Sequence, residues 1–354
     1  MNYRRSPLPH QPTTPPLTLP GGSGRTALFL KDQAGLARKL KDRESLGTFD
    51  TDNKYDTKWI PLAKRILQTP VLDLAPPPSP EAIRAWGARF PHCQGIVEWL
   101  ADLVALSVWS DTPCVQSPPL LLVGPPGIGK TTLLLDLAIF LGVPSRIVSL
   151  GSTSDGFILT GSSLEYGTGK IGAILETLLQ GTANPIIVLD EIDKAGQGAS
   201  NRERHVSESL LDLLEPRTSV SFLDEALDWP VDASRIFWVA TANDKSRIPA
   251  PVLSRFHTLE VREPTPAEMR EVILPDLYRE ILREYGVENR APRTLPPAVL
   301  EAMGQNPRSA RRQIVRLIAK AAATGSQILD PAWIEKESQG SECKRIGFQQ
   351  GGPL

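Results

Sequence analysis

Cysteine is scarce in this chain: Cys93, Cys114 and Cys343 are all there are in 354 residues. They are scattered and odd in number, which excludes a disulfide framework and fits a reducing cytoplasm. Histidine is equally sparse. His10, His92, His205 and His257 have no metal-ligand spacing, and no His-Glu-x-x-His or paired Cys-x-x-Cys occurs. Net charge is almost absent, at a formal −1. No whole-protein field therefore draws the chain to nucleic acid or to acidic membranes, although a local basic patch is not excluded. A long apolar run is missing too. Leu133–Val143 is the best, and it is too short to span a bilayer and carries Asp136. Arg4 and Arg5 lead into prolines rather than an apolar stretch, so no secretory signal is read. The chain reads as a soluble protein with no membrane partner.

What is present is ordinary globular material, 41% hydrophobic and 22% charged, enough to build a core in one large or two modest domains. Residues 1–25 are rich in Pro, Thr and Gly and read as a disordered arm, either a passive tail or a polyproline segment for docking. Residues 26–90 form an ill-defined N-terminal region and linker. A basic helix fits Ala34–Lys41, a stiff Pro-rich linker covers Ala75–Pro80, and a helix fits Glu81–Ala88.

Residues 91–262 alternate helix and strand patterns. Gly95–Trp109 has helical apolar spacing, and Thr131–Leu141 reads as a helix closed by Gly142. Leu120–Val123, Arg146–Leu150, Pro185–Leu189 and Ile236–Ala240 are short strand-like runs. The expected fold class is therefore α/β, a parallel sheet flanked by helices. Residues 263–335 change to an all-helical domain. Thr265–Glu268 is a capping box, Thr294–Met303 fits a helix, and Asn306-Pro307 starts another that runs to about Ala323. Residues 336–354 read as a flexible tail.

Gly124-Pro125-Pro126-Gly127-Ile128-Gly129-Lys130-Thr131 matches G-x-x-x-x-G-K-[ST] between a strand pattern and a helix pattern, the setting a phosphate-binding loop needs. Glycines let the backbone wrap so that N–H groups converge on phosphate oxygens. The helix that follows, with Thr132 in its first turn, adds free N–H groups and the positive end of its dipole. Lys130 reaches the β- and γ-phosphates in this geometry, and Thr131 ligates Mg²⁺. A chance match in a chain of this composition is about one in a hundred. The alternative is a glycine turn with an incidental lysine.

Pro185–Leu189 ends in Asp190 and Glu191. A buried strand ends in two acids only when cations or solvent receive them. Asp190 is assigned to Mg²⁺ and Glu191 to the general base that polarises the attacking water. The alternative is an acid pair that caps a helix.

These residues resemble the AAA+ ATPases, and more narrowly the ATPase module of Lon proteases. The Lon-like string is Asn184–Lys194, with Leu210–Pro216, Ile236–Asn243, Ile248–Arg255 and Pro307–Ile314 in the family's order, over about two thirds of the chain. The resemblance implies a P-loop NTPase sheet followed by a small helical lid. It implies that Asn243 orients water and the γ-phosphate, and that Arg255 reaches the nucleotide of a neighbouring subunit. It implies that Arg308 contacts nucleotide from the lid, and that Tyr166-Gly167 is an aromatic pore loop that grips unfolded polypeptide. A tyrosine packing locally in a turn is the other reading of Tyr166.

ATP and Mg²⁺ are the expected cofactors, and a ring, hexameric by family, the expected assembly. The client is expected to be a polypeptide, with a separate peptidase as a further candidate partner. The chain ends soon after the lid, so the Lon peptidase domain is expected to be absent. Gly196–Glu208 reads as an inserted polar loop. Two other functions fit the same residues: an AAA+ ATPase acting on nucleic acid through Arg308, Arg311, Arg312 and Arg316, and a non-hydrolysing nucleotide switch.

Overall fold

The computed structural model describes residues 26–45, 54–110, 113–150, 157–165, 168–195, 209–326 and 328–334. The arm over 1–25, Tyr166-Gly167, Gly196–Glu208 and the tail over 336–354 lie outside the described residues. Contacts divide the chain into two compact units, Met1–Arg262 and Glu263–Leu354.

The first unit is built on a five-stranded sheet. Its strands are β3 (Leu120–Val123), β4 (Ser145–Ser149), β5 (Ile186–Asp190), β8 (Phe237–Ala242) and β9 (His257–Glu260), in the order β4-β5-β8-β3-β9. Every pairing is parallel, with Leu121 opposite Ala240 and Val188 opposite Val239. Parallel strands are covered on both faces, which explains why Leu120–Val123 and Ile186–Leu189 are unbroken apolar runs. β9 is the strand the sequence pattern does not reveal. His257, Thr258, Leu259 and Glu260 are part-exposed and mixed in polarity, as an edge position allows.

Successive side chains point to opposite faces, and the core follows that alternation. Leu120, Leu122, Ile186, Val188, Phe237 and Val239 face one cluster, together with residues of α3 (Pro80–Gly87), α4 (Gln94–Trp109) and α5 (Lys130–Leu141). Leu121, Ile187, Leu189, Trp238 and Ala240 face the other. Each fully buried Leu or Ile here contributes about 1.5–3 kcal/mol. Asp136, a charge on the apolar helix α5, accepts hydrogen bonds from Trp86 Nε1 at 2.7 Å and from Arg89 at 2.8 Å.

Residues 26–90 supply much of the second cluster. β1 (Thr26–Leu28) pairs antiparallel with β2 (Val71–Asp73). Between them α1 (Gln33–Ser45) and α2 (Lys54–Gln68) bury Leu36, Trp59, Ala63 and Ile66 with the sheet residues named above. A short antiparallel hairpin, β6 (Phe222–Asp224) and β7 (Trp229–Val231), lies in the same cluster through Phe222 and Val231. α6 (Ala173–Leu178) adds Ala173, Ile174, Leu175 and Leu178 to it.

The second unit has its own core of Leu274, Tyr278, Ile281, Ile314 and Leu317. Its first helix opens on the Thr265 capping box, worth about 1 kcal/mol. The helix widens into a π turn over Met269–Ile273 and continues as α7 (Leu274–Tyr285). Pro275 accounts for the widening. It has no N–H to give to the turn before it, and its ring displaces the carbonyl it would otherwise meet. α8 (Pro297–Ala302) and α9 (Pro307–Thr324) complete the bundle. α9 is capped by Asn306, whose side chain accepts from the N–H groups of Arg308 and Ser309. Among the described residues no helix is long and apolar enough to cross a membrane.

Candidate functional site

The loop between β3 and α5 can be made only with glycine at its critical positions. A Cβ on Gly124 would stand 2.3 Å from the carbonyl oxygen of Val261. Gly127 and Gly129 have φ of 81° and 98°, left-handed values that side chains resist. Gly129 opens α5, so the N–H groups of Lys130, Thr131 and Thr132 stand in a first helical turn with no intrahelical acceptor. Ile128 is buried, and its carbonyl accepts from His92 Nε2 at 2.9 Å. A carbonyl can only accept, so Nε2 of His92 carries a proton.

Lys130 is buried, with its ammonium turned back into the loop. It donates to Gly124 O at 2.6 Å, to Pro125 O at 2.9 Å and to Asn243 Oδ1 at 3.1 Å. Two residues 113 positions apart, both singled out from the sequence, therefore share a hydrogen bond. Thr131 Oγ1 donates to Asp190 Oδ1 at 3.0 Å. The strand order explains both contacts, because β8 lies between β5 and β3, the strand that leads into the loop before α5.

Two residues that spacing does not reveal bind these parts together. Thr241 donates to Asp190 Oδ1 at 2.6 Å and accepts from Glu191 N–H at 3.2 Å. Asp193 is buried, and its Oδ2 accepts from the N–H groups of Asn243 at 3.1 Å and Asp244 at 3.2 Å. The end of β5 is thus tied to the end of β8 by side chain and backbone alike. Glu191 itself sits at φ 57° and ψ 45°, left-handed and costly for a residue with a Cβ. Its carboxylate meets Lys194 Nζ at 2.7 Å across one turn of 3-10 helix.

Arg255 donates from Nε to Leu211 O and from Nη1 to Pro251 O, so it lies against residues 209–213 rather than in the Lys130–Asp190 cluster. Arg308 is exposed in the first turn of α9 in the second unit. Tyr166 and Gly167 lie outside the described residues.

The donor set fits a magnesium–nucleotide. Thr131 and Asp190 offer hard oxygens, suited to an ion that keeps most of its waters and takes one or two protein ligands. Among the described residues no group of three or more His, Cys, Asp or Glu could hold a metal by itself. An ammonium beside a helix N-terminus suits phosphate oxygens.

A family profile described as the ATPase family associated with various cellular activities (AAA) matches residues 120–263. Among curated relatives, the peroxisomal Lon protease homolog 2 of Spinacia oleracea is 32% identical over 197 residues, 55% of this chain and 21% of that protein. Its Zea mays counterpart is 30% identical over 252 residues, 70% of this chain and 28% of that one. The Lon protease of Desulfovibrio desulfuricans is 35% identical over 213 residues, 59% of this chain and 24% of that one. The match thus spans between about a fifth and three tenths of these relatives' length. Among solved structures, a RuvB variant of Thermotoga maritima aligns at a TM-score of 0.45 and 16% identity, over 68% of this chain and 67% of that one. Residues 120–263 are an AAA-type P-loop ATPase domain related to the ATPase module of the Lon proteases.

Proposed function

We propose that this chain binds ATP with Mg²⁺, hydrolyses it, and uses the cycle to remodel polypeptide clients within a ring of its own copies. The observation that carries the reading is the convergence of Lys130, Thr131, Asp190, Glu191 and Asn243 on the ends of three neighbouring parallel strands.

The first-turn N–H groups of α5 and the loop amides from Gly127 to Thr131 bind phosphate oxygens. Lys130 leaves its carbonyl partners for the β- and γ-phosphates. Thr131 and Asp190 would hold Mg²⁺, which supplies neutralisation of the charge that builds on phosphate oxygens. Glu191 takes the proton of a water as its oxygen attacks the γ-phosphorus and the bond to the bridging oxygen breaks, leaving ADP and phosphate. Asn243 orients that water. Arg255 serves the site of a neighbouring copy, where such a residue is worth about 10³–10⁵ in rate. Arg308 is the residue we assign to nucleotide sensing. Tyr166 and Gly167 grip the client, and a separate peptidase is a natural recipient. Cys93 and Cys114 are buried and stand outside any disulfide, which suits a reducing cytoplasm.

A nucleic-acid role would draw on the arginines of α9. Arg311 is already engaged by Glu280 and Glu284, which removes one cation from that face. The test is steady-state ATP hydrolysis with and without unfolded casein. Turnover that rises with casein supports the remodeller. Turnover that rises with DNA and is lost in salt would replace it with the nucleic-acid reading.

A further inference from the structure

Residues 157–165 and 168–172 form two limbs packed backbone on backbone. Ser162 N–H donates to Lys170 O at 2.9 Å, and Ala173 N–H to Ile158 O at 2.9 Å. Glycine is required on the returning limb. A Cβ on Gly169 would stand 2.2 Å from Ser163 O, and one on Gly172 would stand 2.1 Å from Leu159 O.

Both limbs are pinned to the turn between β6 and β7. Asp224 is fully buried, and its carboxylate gathers three backbone N–H groups from two separate segments. Gly172 of the returning limb donates at 2.8 Å, and Ala226 and Leu227 of the turn at 3.0 and 3.1 Å. Glu225 N–H closes the other side by donating to Thr160 O at 2.8 Å. A buried carboxylate is costly unless hydrogen bonds satisfy it, and an apolar residue would fill the space without that cost. What the carboxylate adds is a joint between two stretches of backbone that no sheet or helix connects.

The turn is held in its own right by the N-terminal helices. Trp59 Nε1 of α2 donates to Leu227 O at 2.6 Å. Lys39 of α1 donates to the carbonyl of Asp228 at 2.9 Å and pairs with its carboxylate at 2.7 Å. Those contacts sit where Asp228 is forced to a φ of 51°. Lys58 of α2 reaches the returning limb directly, donating to Gly169 O at 3.2 Å. Both helices lie outside the stretch that the AAA profile matches.

We infer that Asp224 is the positioning residue of the 157–172 segment, and that α1 and α2 form a brace which holds its base through the β6–β7 turn. The inference rests on the reading of this segment as the client-gripping loop. It gives the N-terminal helices a role: they set how stiffly the loop is presented, and so how strongly a client stimulates ATP turnover.

The test compares the full chain with Asp224→Asn, Trp59→Phe and Tyr166→Ala. The first change turns an amide N–H₂ toward backbone donors, whereas Trp59→Phe keeps an aromatic ring and loses one hydrogen bond. Three quantities are read: casein stimulation of turnover, binding of a fluorescent ATP analogue, and amide hydrogen exchange of the 157–173 peptide. Analogue binding stays at the parent value in Asp224→Asn and Trp59→Phe. Exchange of the peptide rises about fivefold, as expected for one lost hydrogen bond, and casein stimulation falls about threefold or more. If Tyr166→Ala abolishes stimulation while both brace variants keep parental exchange and stimulation, the brace is wrong. Should Asp224→Asn fail to fold, Trp59→Phe decides alone. Full stimulation in Tyr166→Ala would remove the reading of the loop, and the inference with it.

Discussion

The ammonium of Lys130 lies 3.1 Å from Oδ1 of Asn243, so the phosphate cradle and the end of β8 are joined by one hydrogen bond. The arrangement makes Asn243 a resting partner of the lysine that must turn to phosphate, as well as the candidate for orienting water. Asn243→Ala is expected to lower kcat by about 10²-fold, the usual effect of losing one preorganised polar group, with a smaller change in KM. Lys130→Ala should abolish nucleotide binding itself. Titration with a fluorescent ATP analogue beside steady-state turnover separates the two.

Thr241 is buried between the two acids, donating to Asp190 and accepting from the Glu191 backbone. Valine has the same shape and neither function. Thr241→Val leaves the Glu191 N–H without its acceptor, which costs about 1–3 kcal/mol. The loss appears as a fall in Tm, together with lower turnover because Glu191 is no longer held at its left-handed φ. A variant with parental Tm and turnover would show that the Thr241 bridge is incidental.

Asp224 gives a pH signature. Burial pushes its carboxyl up to about 6 against an ordinary 3.8, although the three N–H groups pull the other way. Its folded-state value is therefore raised. This group's contribution to stability is fully present below about pH 3.8, and it is lost as pH rises through about 6. Over that window the parent should gain about 1–3 kcal/mol relative to Asp224→Asn as pH falls, since the amide does not titrate. Chemical denaturation of both proteins at pH 7 and pH 4.5 measures it. A constant difference between them would contradict the buried-charge account.

The parts of this protein that were legible in the sequence are those whose chemistry demands fixed spacing along the chain. Gly124 to Thr131 must be contiguous to wrap one phosphate group, and Asp190 and Glu191 must end one strand. Thr241 and Asp193 were not legible, because their work depends on β5 and β8 being neighbours, a fact of strand order rather than spacing. His92 has no metal-ligand spacing, yet it holds the loop by the carbonyl of Ile128. The strand β9 was hidden by its mixed polarity. In residues 26–90 the helical spacing of Trp59, Ala63 and Ile66 is interrupted by Pro61, which masks α2 in the sequence. The π turn at Met269–Ile273 was signalled only by Pro275, which sits inside an otherwise continuous helix.

The central claim is that Asp190 and Glu191 perform different tasks at the end of one strand, metal holding and proton abstraction. Steady-state ATP hydrolysis by the purified chain beside Glu191→Gln, with binding of a fluorescent ATP analogue measured on the same samples, tests it most directly. The account predicts turnover in the parent, loss of about 10²-fold or more in the variant, and analogue binding in both. A parent that binds the analogue and shows no hydrolysis at any protein concentration or with casein would contradict it, and would leave a nucleotide-binding switch.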